Sequence, residues 1–555
     1  MLEKGGLDGE LAALYGDGAV DAWKGHYRGA LEAFAQTYGD AGEAVIARCP
    51  GQMNLMGMHI DYGGMPSLRL AARGADTLTV ARANADGRVR LRSLLRVEGE
   101  AAEPFAPVAF DLAEIVPQEN VGSQAALLAY AGRVCRQREA ESGSAQATGW
   151  EIMPQGQLVY LESYFRARRS LCGFDGLVWS TVSPSGGMSS SSALVVSTAY
   201  AALAVNGLDP VADMPEADRV DGIGLSEWIR GTRGGTADHG GMILGKAGKL
   251  VSVGVFPAKA LAYARVPDEY LAVTIDSGVP RVYDEAVKEE TVIAYPLGTF
   301  MVRELLLPSL AGEGAFAGME PGAAARVEMI RDVEAEALGC APEGVYDLLR
   351  GLPQRTTLAR VRGLAREAGR LEAFERMFAA DIEGKFERIG DEYPILLRRR
   401  YAFGLAEQAR VRLMPRLMNE GRMADALELV RVSHDGDLDT EVEDAQLDAM
   451  RGAAVAGDER GHLAYLPGGY GRMTPEYDAV VRRINAFLGE RDAAAGAVQR
   501  LGAGWGGNVG GLVQRRWITG DGRAEFEALL GDMGLGYNVA EPGEGATLLT
   551  APAAQ

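Results

Sequence analysis

Three segments of the chain carry side chains whose types and spacing suit chemistry. In SEWIRGTRGGTADHGG, Ser226 to Gly241, Asp238 follows a glycine-rich approach and precedes His239 and Gly240, a loop or helix start from which a carboxylate can face a cleft and accept a proton. Capping a helix is the ordinary use of such an aspartate, so Asp238 alone assigns no reaction. In SPSGGMSSSSALVVSTA, Ser183 to Ala199, small residues let backbone N–H groups approach an anion, and the helix that follows points its positive end at the same place. Four consecutive serines exceed what one cap needs, and strand, loop and helix is the order that phosphate binding requires. No lysine follows the glycines, which excludes a GxxxxGK[ST] loop. In CPGQMNLMGMHIDYGG, Cys49 to Gly64, an apolar run ends directly on His59, Asp61 and Tyr62. GAGWGGNVGG, Gly502 to Gly511, is weaker: a structural turn explains it about as well as a ligand loop does.

The elements that must position these groups follow from periodicity. Trp23, Tyr27, Leu31 and Phe34 recur at helical spacing and predict an amphipathic helix from Val20 to Tyr38, followed by a strand over Ala44 to Cys49. Asp76 to Ala83 and Arg88 to Leu94 alternate as strands, with NADG between them predicting a hairpin turn. FDGLVWSTVS from Phe174 is strand-like, the serine loop follows, and SALVVSTAYAALAVNG suits a helix ending near Gly207. KLVSVGVF and YLAVTIDSG read as further strands. After Tyr283 the chain turns helical to about Gly461, then returns to strand and glycine-rich turn before a late helix in EFEALLGDMG.

At 555 residues the chain exceeds what one core usually supports, so two domains sharing a cleft are expected. A formal charge of −20 argues against sequence-independent nucleic-acid binding. The basic clusters Arg166 to Ser170 and Leu396 to Tyr401 read as solvated helix faces. Cys49, Cys135, Cys172 and Cys340 form no ligand spacing for structural zinc, and no apolar run approaches the roughly 20 residues of a membrane helix. With neither a basic leader nor an apolar region at the start, a cytoplasmic protein is expected.

Taken in order, CPGQMNLMGMHIDYGG, SPSGGMSSSSALV, SEWIRGTRGGTADHG and GAGWGG resemble the signature segments of galactokinases, within the GHMP small-molecule kinase superfamily, and are most similar to its N-acetylgalactosamine kinase and plant galactokinase branch. The resemblance runs from about Trp23 to Val513 and leaves about Val302 to Gly384 unmatched. It implies an α+β fold of two domains: a ribosomal protein S5-like N-terminal domain over residues 1–235, and a ferredoxin-like C-terminal domain over 236–555 with extra helices inserted at about 302–384. It further implies ATP, Mg²⁺ and a monosaccharide as ligands of a monomer or homodimer, and phosphorylation of the anomeric C1 hydroxyl. Asp238 matches the catalytic carboxylate. His59, Asp61 and Tyr62, with Met58, Gly235 and Tyr283, fall at substrate-binding positions. Ser185, Gly186, Gly187, Ser189, Ser190, Ser191 and Ser192 match the phosphate loop, and Ser191 (or Ser190) with Glu227 match the Mg²⁺ ligands.

Two departures fall in the best-matched motif. Galactokinases carry Arg where this chain has Gln52 and Glu where it has Met58. The arginine's fixed charge would keep the catalytic acid ionised, so either a neighbouring cation such as Arg233 replaces it or turnover weakens. Met58 removes a carboxylate that helps hold an outer hydroxyl, which favours a sugar lacking that hydroxyl or carrying a group that glutamate would repel, such as a uronic acid. A sugar other than galactose, a uronic acid or an N-acetylhexosamine, is therefore expected as readily as galactose. The same departures motivate an alternative, a catalytically weak sugar- and ATP-binding sensor. His239 for the family's Gln is a milder change.

Overall fold

A computed structural model describes residues 6–97, 100–182, 187–231, 234–280, 282, 285–385, 390–438, 440–471, 473–502 and 506–549. The chain forms two units: Met1–Leu55, Leu68–Thr274 and Asn538–Gln555 make the first, and Met56–Ser67 with Ile275–Tyr537 make the second. Among the described residues no helix is long and apolar enough to cross a membrane.

The first unit is built on a mixed sheet. Strand β1, Val45–Met56, begins where the sequence predicts but does not stop at Cys49; it continues through Pro50 and Gly51 to Met56, buried along all but its first residue. A strand covered on both faces loses the alternation that would mark its end, so its length was not readable from periodicity. The chain continues as β2, Ser67–Ala83, and β3, Arg88–Val97, with β4, Val108–Asp111, antiparallel to β3.

The expected hairpin between β2 and β3 does not form. Strand β5, Phe174–Ser180, lies between them, antiparallel to β2 from Thr77↔Ser180 to Ala83↔Phe174 and parallel to β3 from Val89↔Phe174 to Leu95↔Ser180. The turn residues are used differently: the Asn84 N–H donates to the Gly173 carbonyl (3.0 Å) and its side-chain amide to the Arg88 carbonyl (2.8 Å). The physical reason is burial. FDGLVWS is buried at every residue but the last, and a strand apolar on both faces needs neighbours on both edges.

Strands β6, Lys249–Gly254, and β7, Lys259–Arg265, pair antiparallel and join the sheet through β2, while YLAVTIDSG yields β8, Tyr270–Asp276. The expected helix is present as α1, Val20–Tyr38, which buries Trp23, Tyr27, Ala30 and Phe34. Behind the sheet, α2, Ile152–Phe165, packs on α3, Ser190–Val205, and both contribute to one apolar cluster. The next helix, α4, Ala237–Leu244, packs on α3 and β6.

The second unit is mainly helical. Its elements include α5, Glu285–Met301, α6, Leu397–Asn419, α7, Met423–Gly436, and α8, Pro475–Arg491. Helices α7 and α8 cover β9, Gly496–Arg500, which pairs antiparallel with β10, Asn508–Gln514. The late helix is α9, Arg523–Gly531. The basic cluster at Leu396 to Tyr401 is not a solvated face: Arg398, Arg399 and Arg400 are all buried on α6. Arg400 pairs with buried Glu290 (3.0 Å), and Arg398 donates to the carbonyls of Arg350 (2.9 Å) and Leu352 (2.8 Å). Charge runs are solvated by default, but partners and carbonyls inside the fold can take that role. Arg166 to Ser170, by contrast, lie toward solvent, half-buried at Arg166 and exposed from Ala167 on, but in the turn beyond the end of α2 at Phe165 rather than on a helix face.

One buried pair closes the first unit. Arg48 on β1 makes two bonds to Asp76 on β2 (2.9 and 3.0 Å), both side chains being wholly buried. Its remaining nitrogen donates to the carbonyls of Glu544 and Gly545, just before β11, Thr547–Leu549, which pairs with β1. Replacing Arg48 by methionine strands the Asp76 carboxylate and is expected to destabilise the unit by about 3–5 kcal/mol, read as a lower urea midpoint at unchanged m-value. Arg48 and Asp76 replaced together should recover much of that loss.

Candidate active site

Asp238 is the second residue of α4, and it caps nothing. The cap position belongs to Thr236, and the Asp238 carboxylate turns to two other elements. One oxygen is paired with Arg69 of β2, and the other accepts from the Ser189 hydroxyl at 2.6 Å. The same Arg69 nitrogen donates to the Gln52 side-chain carbonyl (2.9 Å), whose amide donates to Ser189 Oγ (3.0 Å). Asp238, Arg69, Gln52 and Ser189 therefore close a ring of hydrogen bonds in which each member holds two others.

The ring explains several local features. Ser189 has φ 55°, left-handed for a residue with a side chain, and it makes no side-chain cap on α3 because its hydroxyl is committed to Asp238. Gly241 leaves room for Arg69: a Cβ there would stand 3.1 Å from the arginine Cδ and 3.5 Å from the Gln52 Cβ. The Gln52 backbone N–H donates to the Met188 carbonyl (3.1 Å), tying β1 to the serine loop.

The electrostatics follow. Desolvation alone would raise the Asp238 pKa, but the Arg69 charge and the Ser189 hydrogen bond outweigh it and hold the carboxyl below the ordinary aspartate value. The side chain keeps 37% of its surface accessible, so an ionised, oriented carboxylate is presented to a ligand. Arg69 was not singled out in the sequence. Its signal is a lone charge within SLRLAA, Ser67 to Ala72, a stretch buried throughout, where an arginine must find a partner.

Around this ring, Ser190 and Ser191 open α3 half-buried, whereas Ser192 is buried in the core; Gly187, with φ 70°, leads into the turn. Ser190 and Ser191 line a cavity of about 220 Å³ together with Thr77, Phe105, Trp150 and Leu194, and the Phe105 and Trp150 rings stack with centroids 5.8 Å apart. A Glu227 carboxylate oxygen accepts from His239 Nε2 at 3.0 Å, and its other oxygen lies outside that bond. Asp221, raised by burial, accepts the Thr236 hydroxyl and the Ala258 N–H (2.6 Å), fixing the entry to α4. Gly235 is half-buried in the same approach.

Met58, His59, Asp61 and Tyr62 belong to the second unit. Met58 is 1% exposed, and the N–H groups of Gly57 and Met58 both donate to Glu407 Oε1 on α6 (2.8 and 3.3 Å). Glu407 is in turn held by Arg410 (2.6 Å) and by the Ser433 hydroxyl (3.0 Å), all three fully buried. His59 has φ 58°, stacks on Tyr470 at 4.2 Å, and has its carbonyl held by the Tyr295 hydroxyl at 3.1 Å. Asp61 and Tyr62 occupy one 3₁₀ turn beyond it, half-buried. Ser185, Gly186, Tyr283, Arg233 and the centre of GAGWGG lie outside the described residues.

The galactokinase galactose-binding signature matches residues 32–82, and the GHMP kinase N-terminal domain matches residues 158–245. No curated protein matches the chain in sequence. Among solved structures the chain is similar to Lactococcus lactis galactokinase complexed with galactose, at 17% identity and TM-score 0.57, over 94% of this chain and 99% of that one. It is also similar to the mevalonate kinase of Methanococcus jannaschii, at 12% identity and TM-score 0.37, over 91% and 99% of the two chains. The first likeness shows the fold. All four members of the Asp238 ring fall inside the two matched segments, Gln52 and Arg69 in the galactokinase galactose-binding signature and Ser189 and Asp238 in the GHMP kinase N-terminal domain.

Proposed function

We propose that the protein transfers the γ-phosphoryl group of ATP to the anomeric C1 hydroxyl of a monosaccharide. The observation that carries this reading is the ring: an ionised carboxylate, fixed by a cation, hydrogen-bonded to the residue that opens the serine-loop helix. Phosphoryl transfer asks a protein for an oriented hydroxyl and for charge stabilisation at the phosphates. Asp238 orients the sugar hydroxyl and accepts its proton as the oxygen attacks phosphorus; the bond from the γ-phosphorus to its bridging oxygen breaks, and ADP leaves. Arg69 keeps Asp238 ionised and favours the charge that develops beside it, the role the sequence leaves open at Gln52. Because Arg69 restores that charge, the ring supports catalysis over the sensor reading.

The N–H groups at the start of α3, which has no side-chain cap, suit phosphate oxygens. The cavity beside Ser190 and Ser191, with its stacked Phe105 and Trp150, suits a flat purine. The hydroxyl of Ser191 and the carboxylate of Glu227 are hard oxygen donors of the kind Mg²⁺ takes alongside substrate phosphates, and one Glu227 oxygen is not spent on His239. Mg²⁺, when bound, neutralises phosphate charge. His59, Asp61 and Tyr62 are the sugar-recognising side chains, with Gly235 and Tyr283 as further substrate positions. Buried Met58 offers no carboxylate, so a uronic acid or an N-acetylhexosamine is as suitable as galactose.

Purified protein given ATP, Mg²⁺ and a panel of galactose, galacturonate, N-acetylgalactosamine, arabinose and fucose should release ADP with at least one sugar and yield a 1-phosphate by mass spectrometry. Binding of ATP and sugar with no transfer would instead establish the sensor. Asp238→Asn is expected to lower kcat by about 10²–10⁴-fold while leaving ATP binding by calorimetry unchanged.

The pH dependence has a definite sign. Folding lowers the Asp238 pKa, so its ionised form stabilises the native state above the unfolded value of about 3.9, and that gain is lost as pH falls through the native value. In Arg69→Ala the carboxyl titration should move up, shifting the acid limb of kcat/KM toward neutral pH, with kcat lower by about 10²–10³-fold. An acid limb unmoved by Arg69→Ala would remove Arg69 from this role.

A further inference from the structure

The segment of about residues 302–384 has no counterpart in the sequence resemblance, yet part of it touches the turn that carries Asp61 and Tyr62. Within the second unit, Ile330–Asp332 forms a single 3₁₀ turn, closed by Asp332 Oδ2, which accepts the N–H groups of Glu328 (2.9 Å) and Met329 (2.8 Å). Gln408 of α6, buried at 1% exposure, anchors it from behind, donating to the Arg331 carbonyl at 3.1 Å and to Glu334. Ile330, also 1% exposed, packs in one cluster with Ile60, Met65 and Tyr295.

On the other side this turn meets Gly63 and Gly64. Arg331 donates to the Gly64 carbonyl at 3.1 Å. Gly64 is left-handed, φ 79°, and a Cβ on it would stand 2.5 Å from the Met329 sulfur; a Cβ on Gly63 would stand 2.8 Å from the Tyr295 ring and 3.3 Å from Ile330 Cγ2. The Gly64 N–H meanwhile closes on the Asp61 carbonyl (2.9 Å), and the Gly63 N–H on that of Ile60 (3.0 Å). Gly64 is thus required by its left-handed φ and Gly63 by the Tyr295 ring beside it, and a backbone shift at Gly64 is transmitted through one hydrogen bond to Asp61.

We propose that residues 328–334 of this insertion act as a fixed buttress for sugar recognition, and that Arg331 is a positioning residue for Asp61 and Tyr62. The sugar part of this inference rests on the function proposed above; the buttress itself rests only on the contacts. Arg331 acts on the backbone of the turn. It holds the carbonyl of the residue that ends the turn, opposite the end at which Glu407 holds the N–H groups of Gly57 and Met58. A turn pinned at both ends loses little freedom when a sugar binds, and a misplacement of about 1 Å at such a site can cost up to about 10²-fold.

The test compares wild type with Arg331→Ala and Arg331→Lys, using steady-state kinetics on whichever sugar of the panel is phosphorylated together with hydrogen exchange of the amides of residues 60–65. Arg331→Ala should raise KM for the sugar about tenfold, leave KM for ATP unchanged and speed exchange at residues 60–65 without a general loss of protection. Arg331→Lys, which can still donate to the Gly64 carbonyl, should recover part of the sugar KM. Unchanged sugar KM and unchanged exchange in Arg331→Ala overturn the proposal, as do equal losses for ATP and sugar with protection lowered throughout the second unit. If wild type phosphorylates no sugar in the panel, the kinase reading fails separately, and the buttress is then decided by exchange alone: faster exchange confined to residues 60–65 upholds it, and none overturns it.

Discussion

The ion pair between Arg69 and Asp238 is the constraint on which the rest of the first unit's chemistry depends. The role proposed for Asp238, accepting a proton at neutral pH, requires a carboxylate that is ionised and aimed, and burial works against the first of these. Arg69 supplies the charge, but it does more than that. The nitrogen that pairs with Asp238 also holds Gln52, and Gln52 holds Ser189, which returns to Asp238. No member can turn away without breaking a bond to a second member, so the geometry is set by closure rather than by any single contact.

Closure places demands on the backbone that would be costly elsewhere. Ser189 takes a left-handed conformation and gives up its role as a cap, which leaves the first N–H groups of α3 without a side-chain partner from that residue. Gly241 has no side chain because Arg69 occupies the space. Asp221, holding Thr236, settles where α4 begins and hence where Asp238 points. A strained serine, an uncapped helix start and a glycine inside a helix would each count against stability taken alone. Together they have one explanation, the closure of the ring around an ordered carboxylate.

The second unit solves a related problem with a different device. Its HIDY turn is held by its backbone: Glu407 takes the N–H groups of Gly57 and Met58, Tyr295 holds the His59 carbonyl and Arg331 the Gly64 carbonyl. Holding the main chain fixes the turn that carries Asp61 and Tyr62. The cost is a buried ionic cluster, since Glu407 needs Arg410 and Ser433 to be tolerable inside the fold. Galactokinases place a carboxylate on the turn itself, at the position of Met58; here the buried carboxylate of Glu407 serves the backbone of that position.

The sequence by itself determined what is local. Helix α1 follows from apolar spacing, α3 from its Ala and Leu content, and the serine loop and the aspartate from residue type and order, because each of these depends on neighbours within a few residues. Tertiary structure alone decided what depends on partners distant in the chain. Turn chemistry at Asn84 to Gly87 pointed to a hairpin, yet β5 enters between β2 and β3 because its buried backbone needs hydrogen-bond partners along both edges. The arginines of Leu396 to Tyr401 looked solvated until Glu290 and the carbonyls of Arg350 and Leu352 were seen to face them. Gln52 read as a lost charge because its charged partner, Arg69, sits on a different strand, 17 residues on. Composition and period record what each residue prefers, whereas a charge's partner is chosen by where the folded chain brings two strands together, and no local pattern encodes that distance.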